Sequence, residues 1–330
     1  MASKFRILSI DGGGIRGIIP ALVLAEIEHQ TGRRIADLFD LIAGTSTGGI
    51  LALGLTRPGG DGVPYYTAEK LVRLYETEGS RIFTRSPWHR IRALGNAVEE
   101  KYPSGPVEDV LKEYFDDTNL SQAVTDVLIT SYEIQQRCPF FFKSHNAKRN
   151  PQDDYLMRDA ARATSAAPTY FEPGFIEANA EHKDLALIDG GVFANNPSMC
   201  ALVEAICKFN KGPSDVFMVS LGTGELTRQL NLEEVKGWGL LQWAQPILSV
   251  VFDGVSDTVD YQVNSILNKL EANGQQYYRF QLTLDEGYDD IDDASRTNLR
   301  VLKELANTMI KERRKDIETV CKVLSGRHLN

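Results

Sequence analysis

Residues 44–49 read Gly-Thr-Ser-Thr-Gly-Gly. The Gly-x-Ser-x-Gly inside them offers Ser46 as a nucleophile. A serine on a sharp strand-to-helix turn presents its Oγ, and small neighbours such as Gly44 and Gly48 avoid the clash a Cβ would make there. Alone the pentapeptide is weak, because Gly-rich turns also hold serines for purely structural reasons. Its flanks strengthen it: the apolar run Leu41–Ala43 precedes the turn and Ile50–Leu55 follows it.

Such a serine needs donors for an oxyanion, and a base. Asp11-Gly-Gly-Gly-Ile-Arg-Gly17 closes one apolar run and opens another. One reading makes Gly12, Gly13 and Gly14 a cradle of backbone N–H groups at a helix start, with the Thr47 N–H as a further oxyanion donor. The other takes Gly12, Gly14 and Gly17 as a dinucleotide fingerprint, with Asp37 about 20 residues further on. For the base there are five histidines, His29, His89, His145, His182 and His328. His29 falls in a helical pattern, His89 in an Arg-rich loop, His145 at a strand end and His182 in a polar loop. Asp189 stands in Leu-Ile-Asp-Gly-Gly, and only His328 follows it. A hydrolase with the chain order serine, acid, histidine has little to draw on here. A direct Ser46–Asp189 dyad is therefore the leading arrangement, against the competing reading of Asp189-Gly190 as a simple turn.

These residues must be placed by elements that the pattern outlines. Phe5–Ile10, Leu41–Ala43, Val124–Ile134, Phe140–Lys143, Leu185–Ile188, Val216–Leu221 and Tyr277–Leu284 read as strands. Ile18–His29, the stretch after Ser46 to Leu55, the stretch after Thr67 to Gly79, Tyr155–Thr164, Met199–Phe209 and Asn298–Leu324 read as helices. Thr67 is a predicted N-cap. Trp238–Leu270 is helical with a break at Pro246. Strands separated by helices predict an α/β chain with a mostly parallel central sheet and helices on both faces. The expected division is a catalytic domain over residues 5–205, with residues 206–330 continuing the same α/β unit and supplying lid or regulatory elements.

Length and composition fit a soluble protein with a full core: 330 residues, 42% apolar and 25% charged. No apolar run reaches the roughly 18 residues that suggest a membrane span. Met1–Phe5 lacks the apolar core of a signal peptide, and Cys138, Cys200, Cys207 and Cys321 show no pairing or metal-ligand spacing. A cytoplasmic protein with reduced, buried thiols is expected. A net charge of −9 argues against general nucleic-acid binding.

With the three motifs in this order, the chain resembles the patatin-like phospholipases. The match is carried by Leu8-Ser-Ile-Asp-Gly-Gly-Gly-Ile-Arg-Gly17, Asp37-Leu-Phe-Asp-Leu-Ile-Ala-Gly-Thr-Ser-Thr-Gly-Gly49, Thr164-Ser-Ala-Ala-Pro-Thr-Tyr-Phe-Glu-Pro173 and Leu187-Ile-Asp-Gly-Gly-Val192. The resemblance implies a three-layer α/β/α sandwich that hydrolyses acyl esters of phospholipids or lysophospholipids, with no metal and no cofactor. It implies Ser46 as nucleophile, Asp189 as base, Gly12, Gly13 and Gly14 as oxyanion hole, and Arg16 as the basic residue of that loop, supporting the loop or meeting a headgroup. Some bacterial members are antiphage effectors switched on by cyclic nucleotides. A small-molecule activator and an oligomer are therefore further expectations.

Two segments suggest how the chain meets lipid. Arg81, Arg85, Arg90 and Arg92 lie among Phe83, Pro87 and Trp88, a basic and aromatic stretch suited to an anionic membrane surface. Trp238–Phe252 reads first as a buried core helix, with acyl-groove wall, lid or interface as alternatives. Peripheral membrane contact is expected. A dinucleotide-dependent oxidoreductase using Gly12–Gly17 is the alternative from another class, and it leaves Ser46 and Asp189 without a role.

Overall fold

The computed structural model describes residues 4–83, 102–177, 184–226, 230–243, 246–269, 274–284, 288 and 290–326. Its strands, in chain order, are β1 (Phe5–Ile10), β2 (Leu41–Thr45), β3 (Asp126–Glu133), β4 (Cys138–Lys143), β5 (Gly174–Ile176), β6 (Leu185–Asp189), β7 (Val216–Leu221), β8 (Glu225–Leu226), β9 (Tyr277–Phe280) and β10 (Thr283–Leu284). Strands β3-β2-β1-β7-β9 are parallel neighbours in that order. On the far side of β3, β4 pairs antiparallel; β6 also pairs antiparallel with β3, and β5 with β6.

Alternation along the strands makes the three layers. Leu8, Ile10 and Ile42 enter one buried cluster, while Ile7, Leu41 and Ala43 enter another. Successive side chains of a strand point to opposite faces, so the two clusters are the two sides of one sheet. The first face is covered by the helices Ile18–Thr31, Thr47–Thr56 and Ala68–Ile82 and by the C-terminal helices. The second is covered by Ser198–Phe209 and the helix beginning at Pro246. This is the α/β/α sandwich the pattern predicts; β7 and β9 extend the sheet beyond β1, while β8 and β10 pair with each other in a separate two-stranded sheet.

The neighbours of β3 decide where the site forms. Leu128 faces Ala43 of β2 and Lys143 of β4, while Ser131 faces Phe140 of β4 and Asp189 of β6. A strand has only two edges, so β2 and β6 share the edge opposite β4. β2 runs up this lane and stops at Thr45, opposite Thr130. β6 runs down the same lane and stops at Asp189, opposite Ser131. Two strands thus meet with their carboxyl ends head to head.

Three expectations change in the structure. The predicted helix Asn298–Leu324 is two helices, Arg296–Glu312 and Arg314–Leu324, broken at Arg313. A straight helix over that span would run about 40 Å; the break lets both halves pack on Ile18–Thr31. Tyr277–Leu284 is two strands, because the Gln281 side chain turns in to accept from the Gly224 N–H at 2.8 Å. Helix Pro246–Asn264 is not a core helix: only Ser256 and Val263 on it are buried. Pro246 stands at its first residue, where a missing N–H does no harm.

Candidate active site

β1 and β2 are adjacent and parallel, with Ile10 opposite Gly44, so the glycine loop and the serine turn leave the same edge of the sheet. Ser46 has φ 54° and ψ −125° and is followed directly by the helix Thr47–Thr56. This is a strained conformation for a residue with a Cβ, of the kind that costs roughly 1–3 kcal/mol and persists where the surroundings enforce it. The enforcement is close packing: a Cβ on Gly48 would collide with the Ile10 carbonyl, and one on Gly44 with the Gly48 carbonyl. The Ser46 N–H donates to Thr164 Oγ1 at 2.9 Å.

Asp189 arrives from the opposite direction at the end of β6. It is 1% exposed, and Gly191 donates its N–H to Oδ1 at 2.7 Å. Burial pushes its carboxyl up to about 7, and the neighbouring Ser46 hydroxyl and the Gly191 N–H work against that rise. The second oxygen, Oδ2, has no aligned hydrogen bond among the described residues. The serine hydroxyl is therefore beside the carboxyl without full alignment, as catalytic pairs often are before substrate binds.

The glycine loop narrows the set of candidate oxyanion donors. The Gly12 N–H is committed to the Asn195 carbonyl at 3.0 Å, and Thr223 Oγ1 donates to the Gly12 carbonyl at 2.6 Å. Gly12 is thus an anchor of the loop, which corrects its expected role as a donor. The N–H groups of Gly13 and Gly14 have no acceptor among the described residues. Thr47 stands at the first position of a helix, where the N–H has no partner within the helix. Gly13, Gly14, Ser46, Thr47 and Asp189 all line one cleft. Its walls are apolar, from Ile50, Leu74, Ile82, Val107, Phe171 and Phe252 among others.

Arg16 is not a surface residue. It is 5% exposed, and its Nε donates to the Gly13 carbonyl of its own loop at 3.4 Å. It lines a smaller pocket beside the cleft with Asp253, whose carboxyl burial pushes up to about 6 while Arg16 opposes the rise. Arg279 supports the loop from beneath. It donates to both oxygens of buried Asp11, at 2.9 and 2.5 Å, and to Ser220 Oγ at 2.8 Å. Sequence reasoning gave Arg279 no role. The signal was there: a lone arginine in the β-rich run Tyr277–Phe280 requires a buried partner. Tyr75, also without a sequence-derived role, pairs with Thr47 Oγ1 at 2.5 Å on the cleft wall.

A family model for patatin-like phospholipases matches residues 8–202. The chain belongs to the patatin-like phospholipase family. Patatin-like protein 2 of Arabidopsis thaliana is 35% identical, covering 93% of this chain and 83% of that protein. A Solanum tuberosum relative described as a probable inactive patatin, patatin-3-Kuras 1, is 33% identical over 93% of this chain and 86% of its own length. Membership therefore leaves turnover to be argued from the site. Among solved structures, human GIVD cytosolic phospholipase A2 shares the fold, with a TM-score of 0.52 and 9% identity over 99% of this chain and 61% of that one.

The remaining sequence candidates fall elsewhere. Asp37 is exposed on the short helix Ile35–Leu38 that precedes β2, so it lies at the amino edge of the sheet. A ribose-binding carboxylate would have to stand at the carboxyl edge with the glycines, which removes the dinucleotide reading. His29 is exposed. His145 is buried against Glu204, with Nε2 and Oε1 2.9 Å apart, on the Ser198–Phe209 helix and away from the cleft lining. His89, His182 and His328 lie outside the described residues. So do Arg85, Pro87, Trp88, Arg90 and Arg92, while Arg81 pairs with Glu78 and Glu113 and Phe83 packs on Tyr102 and Phe171. Cys207 is exposed, contrary to the expectation of buried thiols. No described helix is long and apolar enough to cross a membrane.

Proposed function

We propose that the chain is a lipid acyl hydrolase of phospholipase A or lysophospholipase type, working through a Ser46–Asp189 dyad. The observation that carries this reading is the head-to-head meeting of β2 and β6, which sets a half-buried serine against a buried carboxyl in the lining of an apolar cleft. A carboxyl near 7 suits a general base at neutral pH, because half of it is ionised while it still holds a proton well.

In the proposed cycle, Ser46 Oγ attacks the ester carbonyl as Asp189 takes the serine proton. The oxyanion is held by the N–H groups of Gly13, Gly14 and Thr47, each of the kind worth about 10²–10³ in rate. The C–O bond to the glycerol oxygen breaks, Asp189 returns the proton to that oxygen, and the acyl group remains on Ser46. Water then gives its proton to Asp189 and attacks the acyl carbon, releasing the fatty acid and restoring the serine. No histidine takes part. The apolar lining suits the acyl chain, since burying each methylene is favourable by about 0.8 kcal/mol.

Peripheral contact with a membrane surface is part of the same reading. Leu232, Leu240, Ile247 and Val250 are exposed, Leu240 at 92%, on the segment whose Phe252 lines the cleft. This supports a lipid-facing rim beside the site, with the helix from Pro246 serving as groove wall on its inner face. The direct experiment is labelling with a serine-reactive fluorophosphonate, read by intact-protein mass spectrometry. One adduct on the wild type and none on Ser46→Ala is the expected result. Equal labelling of both proteins, or turnover by Ser46→Ala, would overturn the assignment.

A further inference from the structure

The motif Thr164-Ser-Ala-Ala-Pro168 has no role in the chemistry above, yet it touches both members of the pair. Thr164 is the last residue of the helix Met157–Thr164, and it is fully buried. Its Oγ1 accepts the Ser46 N–H at 2.9 Å and donates to the Thr130 carbonyl of β3 at 2.6 Å. Two residues later, the Ala166 carbonyl accepts the Asp189 N–H at 3.0 Å. The same short segment thus binds the main-chain amides of nucleophile and base.

The topology makes this segment necessary. β2 and β6 end head to head in one lane, so no ladder bond runs between them. β1 and β5 flank the two strands only as far as Gly44 and Leu187, so the last residues, Thr45 and Asp189, are laddered to β3 alone, at Thr130 and Ser131. Ser46 has already left the strand conformation, so its N–H points out of the ladder. An unpaired buried N–H is unfavourable, and at a strained residue it would let the turn relax. Around Thr164 the buried hydroxyls are all engaged. Thr45 Oγ1 donates to the Ala194 carbonyl at 2.6 Å, which leaves it to accept from Thr130 Oγ1 at 2.7 Å. That chain ties the end of β2 to the turn that follows Asp189.

We infer that Thr164–Ala166 is a positioning segment that sets the separation of Ser46 and Asp189 by bonding the main-chain N–H of each. Thr164 acts through Ser46 and touches no substrate. The inference rests on the dyad reading for its effect on turnover, while its effect on the two amides is independent of that reading.

The test compares wild type with Thr164→Val, which keeps the shape and loses the oxygen, and Thr164→Ser, which keeps the oxygen. The readouts are steady-state hydrolysis of p-nitrophenyl butyrate across pH and amide hydrogen exchange of the peptides holding Ser46 and Asp189. Thr164→Val should lower kcat by about 10- to 100-fold, the rate equivalent of one unsatisfied buried donor, with KM nearly unchanged. Both amides should exchange faster, and the acid limb of the pH profile should move to lower pH as water reaches Asp189. Thr164→Ser should restore all of these. If Thr164→Val does not fold, Thr164→Ala loses the same oxygen without burying a methyl in its place and should give the same pattern. A folded Thr164→Val protein with wild-type kcat and unchanged exchange would overturn the inference. If the wild type hydrolyses no ester and takes no fluorophosphonate, the dyad reading fails, and exchange at Ser46 and Asp189 still decides the role of Thr164.

Discussion

Asp189→Asn separates what the carboxyl does for chemistry from what it costs the fold. The substitution keeps the size of the side chain and leaves an Oδ1 to accept the Gly191 N–H. It removes a charge that burial opposes: the folded carboxyl sits at about 7 against an ordinary 3.8. That difference corresponds to about 4 kcal/mol. Because the folded value is raised, the folded state holds the proton more tightly than the unfolded chain. Stability from this group is therefore greatest below pH 3.8, falls as pH rises, and levels off above about 7. Integrating between those values, the variant should gain on the wild type by about 2.5 kcal/mol between pH 5 and pH 8. Urea unfolding followed by tryptophan fluorescence at the two pH values measures this gap. In the same samples, wild-type kcat/KM should rise tenfold per pH unit below about 7 and flatten above it. Asp189→Asn should lose about 10²–10⁴ of the activity the wild type shows above pH 7, with a smaller gap below it. A stability gap that stays constant with pH, or a wild-type profile flat from pH 5.5 to 8.5, would refute the raised, catalytically used carboxyl.

The other predictions concern the frame around the pair. Arg279→Met leaves Asp11, 1% exposed, without its partner and should destabilise the protein by about 3–5 kcal/mol at pH 8; adding Asp11→Asn should recover most of it, and urea unfolding of the single and double variants checks both. Gly48→Ala drives a Cβ into the Ile10 carbonyl, main chain that cannot move aside, so the soluble protein recovered should show no fluorophosphonate labelling. Replacing Leu240, Ile247 and Val250 together by serine should leave hydrolysis of p-nitrophenyl butyrate unchanged and abolish co-sedimentation with phospholipid vesicles; retained sedimentation would remove the proposed lipid-facing rim.

Residue types and spacing were enough to name candidate atoms for the proposed chemistry. Gly44 and Gly48 around Ser46, the three glycines after Asp11, and the lack of a usable histidine after Asp189 each state a local requirement. Local requirements are legible because they depend on a few consecutive residues: a turn that admits no Cβ, a helix start that offers free N–H groups. Periodicity likewise gave every strand but β5 and β8 and the longer helices except Ser104–Phe115, and with them the layered α/β class. What spacing could not give was anything settled by two distant segments. The Gly12 N–H looks like a donor in the motif and is occupied only because the Asn195 carbonyl folds onto it. The motif leaves Arg16 to support the loop or meet a headgroup, and only the fold shows it buried, bonded to its own loop and sharing a small pocket with the Pro246 helix. Arg279 and Asp11 are 268 residues apart, and only the β1-β7-β9 order makes them partners. The direction of β6 is the clearest case. The pattern of a strand ending in Asp-Gly-Gly is the same whether it runs with β2 or against it, yet only the antiparallel lane brings Asp189 down onto Ser46. A strand's sequence fixes which faces it buries, and the choice of neighbour and direction depends on the energies of the whole packed sheet.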